Sequence, residues 1–310
     1  MVSRSIFRVV MVALLAGAAP IAVVHAQAGP SDDLVSWSPG RPKQGTLFRL
    51  LVDGVTDPRA VTGVVAGEPL HFASDGPDRA FALAPVPIDS ARSVTATIIV
   101  ADALGTDTIR ARIPVAPGGY PSEKLTVAPR FSTKPDTALQ RRIAEEGKRA
   151  AAVARAAHET PKLWSGAFAR PRPGRVTSGF GRARVFNGTV QSRHMGIDFA
   201  GAVGAPVHAP NRGVVRLVDD FYLGGNVVYI DHGAGLVTAY LHLSEAAVSA
   251  GDTVERGTLI GRVGATGRVT GPHLHFIARY GRYSLDPLTL LQTTRPPTRA
   301  PRPASSRPQR

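Results

Sequence analysis

Residues 214–243 read VVRLVDDFYLGGNVVYIDHGAGLVTAYLHL, and the spacing of apolar runs and glycines in this stretch decides the fold class. Val214 to Val218, Val227 to Ile230 and Leu236 to Leu243 are rich in β-branched and aromatic residues, which suit a pleated, half-buried surface. Gly224-Gly225-Asn226 and Asp231-His232-Gly233-Ala234-Gly235 separate them. Short glycine-bearing connections of this kind join antiparallel neighbours, because glycine reaches the positive φ of a tight turn without a Cβ clash. The same texture runs from Trp164 to Leu291, so residues 164–291 are expected to form one glycine-rich, nearly all-β domain.

Upstream, Thr46 to Val52, Val61 to Val65, Ala80 to Val86, Val94 to Val100 and Thr108 to Val115 are further β-type runs. Asp53-Gly54, Asp57-Pro58 and Gly67-Glu68-Pro69 punctuate them, which predicts a small all-β, Ig-like domain over residues 33–127. Residues 128–163 read as a helical linker. Pro135-Asp136 is a helix-start signal, and Leu139, Ile143 and Val153 are spaced for one helical face. The helix is polar on most sides and so lies on a domain surface or spans between domains. From 292 to 310 arginine and proline alternate with serine and threonine, a composition that buries no core and is expected to be disordered.

The first 26 residues read as a secretory signal peptide. Arg4 and Arg8 precede an apolar run from Val9 to Val24, and Val24-His25-Ala26 supplies a small-residue exit. Gly17 and Pro20 inside the run argue against a membrane anchor, and no other stretch approaches the ~18 apolar residues of a span. The expected product is exported to the periplasm or cell envelope and carries no transmembrane anchor once the leader is removed. Cysteine is absent, so disulfides and lipoprotein thiols are excluded and any metal must be held by nitrogen and oxygen. Of the formal charge of +14, two arginines belong to the leader and five to the last 18 residues, which leaves +7 on the body. A moderately basic surface suits anionic wall or headgroups, whereas no aromatic-and-basic motif points to nucleic acid.

Six of the nine histidines fall in the C-terminal domain. In His194-Met195-Gly196-Ile197-Asp198 the polar side chains stand four apart, on one face whether the backbone is helical or extended. In His273-Leu274-His275 they stand two apart, which only a strand puts on one face, with Leu274 and Phe276 directed into the core. Two imidazoles and one carboxylate leave a tetrahedral zinc with an open fourth position, the coordination of a catalytic site. His-Glu-x-x-His is absent, so another group must serve as base. A histidine with an ordinary pKa of about 6.5 is suited to this, and Thr238, Tyr240 and His242 are expected to share one face of a strand.

Several ordered motifs make this region resemble the lysostaphin-type zinc endopeptidases, which cut the peptide part of bacterial peptidoglycan. They are Ser178-Gly179-Phe180-Gly181, His194 to Ala200, Gly204-Ala205-Pro206-Val207, Tyr240 to Ser244, Gly251-Asp252-Thr253-Val254, Gly261 and Thr270 to Phe276. The resemblance covers residues 164–291. It implies that His194, Asp198 and His275 bind one Zn2+ per chain, that His242 and His273 act in catalysis, and that the partner is a peptidoglycan peptide. It also implies an antiparallel, barrel-like β-sandwich with the site in a groove on the sheet, preceded by an accessory domain. A non-enzymatic wall-binding or hydrolase-activating module is the alternative; a lipoyl or biotin carrier is excluded because no lysine follows Lys162.

Other polar residues carry blander expectations. His208 and His232 read as loop-orienting groups, His71 as packed or surface, and His158 as a linker residue without a partner motif. Asp219, Asp220 and Asp286 read as solvated loop acids, Tyr240 as a packing aromatic, and Asn187 and Arg193 as groups that meet the substrate.

Overall fold

The structure, a computed structural model, describes residues 34–102, 105–131, 135–188 and 190–294. The leader read over residues 1–26 and the tail from residue 295 lie outside them. The fold is mainly β, as the runs and turns require.

The first unit holds β1 (Val35–Ser38), β2 (Leu47–Asp53), β3 (Val61–Val65), β4 (Glu68–Pro69), β5 (Ala73–Ser74), β6 (Arg79–Pro85), β7 (Ser93–Asp102) and β8 (Gly105–Pro114). They form two four-stranded sheets, ordered β1-β2-β6-β5 and β4-β3-β7-β8. Alternation is visible in β3, where Val61, Gly63 and Val65 are buried while Thr62 and Val64 face outward. Phe48, Leu50, Val65, Ile98 and Ile113 fill the core of this unit. The five longest strands match the five apolar runs. The other three have two to four residues, too short for a period-two pattern to register.

The second unit begins earlier than the glycine-rich region. β9 (Ser122–Leu125) leads into α1 (Thr137–Ala156), followed by β10 (Val176–Ser178), β11 (Ala183–Phe186), β12 (Val190–Arg193) and β13 (Ile197–Ala200). Next come β14 (Pro206–His208), β15 (Gly213–Phe221), β16 (Gly225–Gly233) and β17 (Leu236–Ala246). β18 (Thr253–Val254), β19 (Leu259–Val263), β20 (His273–Tyr280), β21 (Tyr283–Leu285) and α2 (Pro287–Thr293) complete it. A ten-stranded sheet runs β10-β13-β20-β17-β16-β15-β18, with β14, β19 and β21 attached beside it. Among the described residues this antiparallel sheet does not close into a barrel: β18 ends the path without pairing back to β10. Phe199, Val215, Ile230, Tyr240, Leu274 and Phe276 form its core.

α1 starts where Pro135-Asp136 predicts, with the Asp136 carboxylate accepting from Leu139 N at 2.8 Å. Leu139, Ile143 and Val153 are half-buried on one face, but the fully buried members of that face are Glu146, Ala150 and Ala154. Small alanines let the helix lie flat on β15, β16 and β17 against Phe221, Val227, Tyr229 and Val237. The Glu146 carboxylate accepts from Tyr222 N at 2.9 Å and from Arg142 at 2.7 Å, tying the helix to the β15–β16 turn. The helix is thus a surface layer of the second unit.

The two units share a core. Leu47 and Leu83 of the first pack with Trp164, Phe168, Leu236, Tyr280 and Leu290 of the second. Tyr280 Oη donates to Pro69 O at 2.8 Å, and the buried Glu68 carboxylate accepts from the Arg282 side chain. The segment that follows the sandwich then crosses over: β9 pairs in parallel with β11, from Ser122 opposite Ala183 to Leu125 opposite Phe186.

Candidate metal centre and active site

Two paired strands set the floor of the site. Asp198 on β13 lies opposite His275 on β20, and Ala200 lies opposite His273. Directly opposed residues project from the same face of a sheet, so Asp198, His273 and His275 stand together while Ile197, Leu274 and Phe276 point into the core. His194 enters from the loop before β13, pinned by its backbone N–H to Arg182 O at 2.8 Å and its carbonyl to Gly181 N at 2.7 Å.

Three donor atoms converge. His194 Nε2 lies 3.0 Å from Asp198 Oδ1, His275 Nδ1 lies 2.7 Å from the same oxygen, and the two ring nitrogens are 2.9 Å apart. All three residues are buried and can hold a metal ion. The remaining ring nitrogen of His194, Nδ1, donates to Gly179 O at 2.8 Å, which leaves the Nε2 lone pair facing the other two donors. Burial alone would raise the Asp198 carboxyl; hydrogen bonds and charge from His194 and His275 outweigh it and hold the carboxyl well below the usual range. Burial depresses His275 to about 4 against the opposing pull of Asp198, so its imidazole is neutral near pH 7. An ionised carboxylate and imidazole lone pairs are the donor set that a borderline dication such as zinc takes.

His242 arrives by a bulge. Tyr240 pairs with Phe276 on the core face, and simple alternation would put His242 on that face as well. Between the Asn226–Leu243 and Val228–Tyr240 pairs β17 carries an extra residue, and His242 adopts φ 63°, the left-handed region rarely used by a side chain of this size. The extra residue turns its ring to the metal side, 4.9 Å from His273 and 5.8 Å from His275 between ring centroids. The expectation that Thr238, Tyr240 and His242 share a face is therefore corrected: the first two hydrogen-bond to each other at 2.8 Å within the core. His242 Nδ1 donates to Thr266 O at 2.9 Å and His273 Nδ1 to Gly271 O at 2.8 Å, so both rings turn Nε2 toward the site, that of His273 lying 3.6 Å from Asp198 Oδ1. Burial, then the charges of His275 and His273, push His242 well below its ordinary value.

Arg184 and Glu123 complete the surroundings, and neither stands out in the sequence. Arg184 Nη2 donates to Asp198 Oδ2 at 2.7 Å and to Ser178 Oγ at 3.0 Å, while its Nε donates to Glu123 Oε1 at 2.6 Å. Asp198 thus spends one oxygen on the histidines and the other on Arg184. Glu123 reaches the site from β9, some 70 residues before the histidine motifs, so no local pattern links it to them. Beside these groups opens a cavity of about 410 Å³, bordered by Asp198, His242 and His273 on one side and by Glu123, Leu125 and Val127 on the other.

The other residues singled out by sequence take structural positions. Asn187, at φ 47°, grips Val127 through both amide atoms, at 3.0 and 2.9 Å, and so holds the crossing segment rather than standing free for substrate. Arg193 donates to Gly181 O at 2.9 Å. Tyr240 is fully buried. His232 donates to Arg212 O and accepts from Thr238 Oγ1, each at 2.8 Å, and His208 lies on β14 outside the metal cluster. Asp219 and Asp220 are strand residues paired with Arg149 and Arg142 of α1, and Asp286 caps α2 through Leu288 N at 3.0 Å; none is a free loop acid. His158 does have partners: His71 at 2.8 Å and Glu68 at 2.8 Å, across the junction of the two units.

The model of peptidase family M23 matches residues 192–287. Peptidoglycan DD-endopeptidase ShyC of Vibrio cholerae is 44% identical over 103 residues, which is 33% of this chain and 24% of the relative; the chain thus matches about a quarter of that protein's length. A Pseudomonas aeruginosa crystal structure, assigned to peptidase M23 by description alone, superposes with a TM-score of 0.64 at 27% identity over 82% of this chain and 96% of that one. The catalytic domain of the antimicrobial peptidase lysostaphin from Staphylococcus simulans is 32% identical, covering 38% of this chain and 92% of that domain, with a TM-score of 0.35.

Proposed function

The chain belongs to peptidase family M23, and on that premise we propose that it is a zinc-dependent endopeptidase that hydrolyses peptide bonds in peptidoglycan stem peptides or cross-links. The observation that carries this reading is the convergence of His194 Nε2, His275 Nδ1 and Asp198 Oδ1 beside two further imidazoles at the wall of an open cavity. These three residues are assigned as the ligands of one Zn2+, and His242 and His273 as the catalytic pair. When bound, zinc supplies Lewis acidity that polarises a peptide carbonyl and lowers the pKa of water.

The chain's own groups handle the proton. With Nδ1–H committed to Gly271 O, His273 offers the Nε2 lone pair, 3.6 Å from Asp198 Oδ1, to take a proton from the attacking water. The same ring returns that proton to the leaving amine. His242, kept neutral by burial and with its one N–H committed through Nδ1 to Thr266 O, positions the water by accepting its hydrogen bond at Nε2. Arg184 and the Gly179 carbonyl hold the Asp198 carboxylate and the His194 ring in the orientation the site uses.

A wall substrate accords with export, so the leader read over residues 1–26 belongs to the same proposal: the enzyme works in the periplasm or cell envelope in wall remodelling. No helix among the described residues is long and apolar enough to cross a membrane. Metal analysis of purified protein, paired with digestion of isolated cell walls before and after chelation, tests the reading. One zinc per chain and digestion lost on chelation and restored by zinc are expected. Digestion by metal-free protein, or zinc-loaded protein whose His242→Ala variant acts as well as the parent, would overturn it.

A further inference from the structure

Of the arginines that line the site without an ion pair among the described residues, Arg175, Arg193 and Arg268, Arg268 is the one that borders both of its cavities. It lines the 410 Å³ cavity together with Asp198, His242 and His273, and also a second cavity of about 170 Å³ that opens on His194 and His275. The carboxylates bordering these two spaces are Glu123 and Asp198, and both are taken by Arg184. Among the described residues Arg268 has no ion pair; its guanidinium lies 4.2 Å from the centroid of the buried Phe186 ring. An aromatic face stabilises a guanidinium without consuming its in-plane N–H donors, so the fork stays available.

The loop that carries Arg268 is held at one end by the catalytic histidine and at the other by the 223–225 turn. Thr266 O receives His242 Nδ1–H, and two residues later Arg268 N donates to Leu223 O at 2.9 Å. Between them Gly267, at φ +72°, packs so tightly that a Cβ would come within 2.4 Å of Gly225 N. The loop therefore lies flat on the 223–225 turn, and the Arg268 side chain emerges at a fixed offset from His242. Half-burial and the nearby Arg184 charge both work against this cation, a cost that an incoming anion relieves.

We propose that Arg268 is a specificity residue that binds a free carboxylate of the peptide substrate next to the scissile bond, so that the enzyme prefers acidic stem peptides to their carboxamide counterparts. A planar fork meeting a carboxylate makes two charge-assisted hydrogen bonds, which a neutral amide cannot reproduce. The inference rests on the hydrolytic reading of the site.

The test uses zinc-loaded full-length protein and two synthetic cross-linked stem peptides, one with its carboxylates free and one with them converted to carboxamides. The parent enzyme is expected to show a kcat/KM about tenfold higher on the acid form. Arg268→Gln should act on both forms at the parent's carboxamide level with unchanged zinc content, and Arg268→Lys should keep part of the preference. Equal rates of the parent on the two peptides, or an Arg268→Gln variant that keeps the parent's preference, would overturn the assignment. A parent that cleaves neither peptide would instead remove the hydrolytic reading, and this inference with it.

Discussion

Replacing Arg184 by methionine perturbs the site while leaving all three proposed ligands in the sequence. The guanidinium bridges two carboxylates, and the three side chains are 15%, 7% and 17% exposed for Arg184, Asp198 and Glu123. Methionine preserves the volume and removes every donor. Asp198 Oδ2 and Glu123 Oε1 then lose their shared partner with little access to water, while Glu123 keeps Ser178 Oγ at 3.1 Å and Arg182 at 3.7 Å. Breaking a buried ion pair from one side costs about 3–5 kcal/mol, and the residual exposure here places the loss near the lower end, about 3 kcal/mol. For a chain of 310 residues that is a fall in midpoint of roughly 5 °C. Arg184→Lys restores the charge but cannot reach both carboxylates in the plane of a fork, so it should recover only part of the loss. Adding Glu123→Gln to Arg184→Met removes one of the orphaned charges, and the double variant should be more stable than Arg184→Met alone by about 1 kcal/mol or more. The assay is urea denaturation of metal-free protein. An Arg184→Met variant within about 0.5 kcal/mol of the parent would refute the claim that Arg184 holds these carboxylates.

Three further outcomes follow from other contacts. Burial pushes His232 down to about 4, against about 6.5 when unfolded, so its neutral form contributes stability above pH 6.5 that is lost as pH falls toward 4; the part due to this residue is about 2 kcal/mol between pH 7 and pH 5, and His232→Asn should flatten the pH dependence by that amount. His242→Ala should lower kcat on cross-linked peptides roughly 10²- to 10⁴-fold while zinc content stays at the parent's level, whereas His194→Ala should lose the metal itself; metal analysis alongside kinetics separates the two. Asn187→Gly removes two hydrogen bonds to Val127 and should weaken docking of the 122–131 segment by about 2 kcal/mol, with Asn187→Ala costing about 1 kcal/mol more because its φ of 47° suits glycine. Amide exchange at Val127 reads both, and identical protection in parent and variants would remove that role.

Much of the second unit was legible because its chemistry is local in sequence. The strands around 214–243 declare themselves by glycine-bounded apolar runs, and His273 and His275 by a spacing that only a strand makes useful. The turn of His242 toward the metal side was not legible, since a single extra residue reverses a strand's facing and leaves no mark in composition. The buried face of α1 was half legible: Leu139, Ile143 and Val153 mark its direction, but Ala150 and Ala154 make the close contact, and alanine occurs on every side of that helix. Arg184 and Glu123 were invisible for a different reason. Their roles arise only from the parallel pairing of β9 with β11, a long-range register that neither segment announces alone.

Mass spectrometry of muropeptides bears most directly on the central claim. Purified peptidoglycan incubated with zinc-loaded protein should show cross-linked dimers converted to monomers, each cleavage leaving one new amino and one new carboxyl terminus. The chelated protein and the Asp198→Ala variant should leave the dimers intact. Dimers that persist with zinc-loaded protein, or that are cut equally after zinc is removed, would contradict the assignment of a zinc peptidase built on His194, Asp198 and His275.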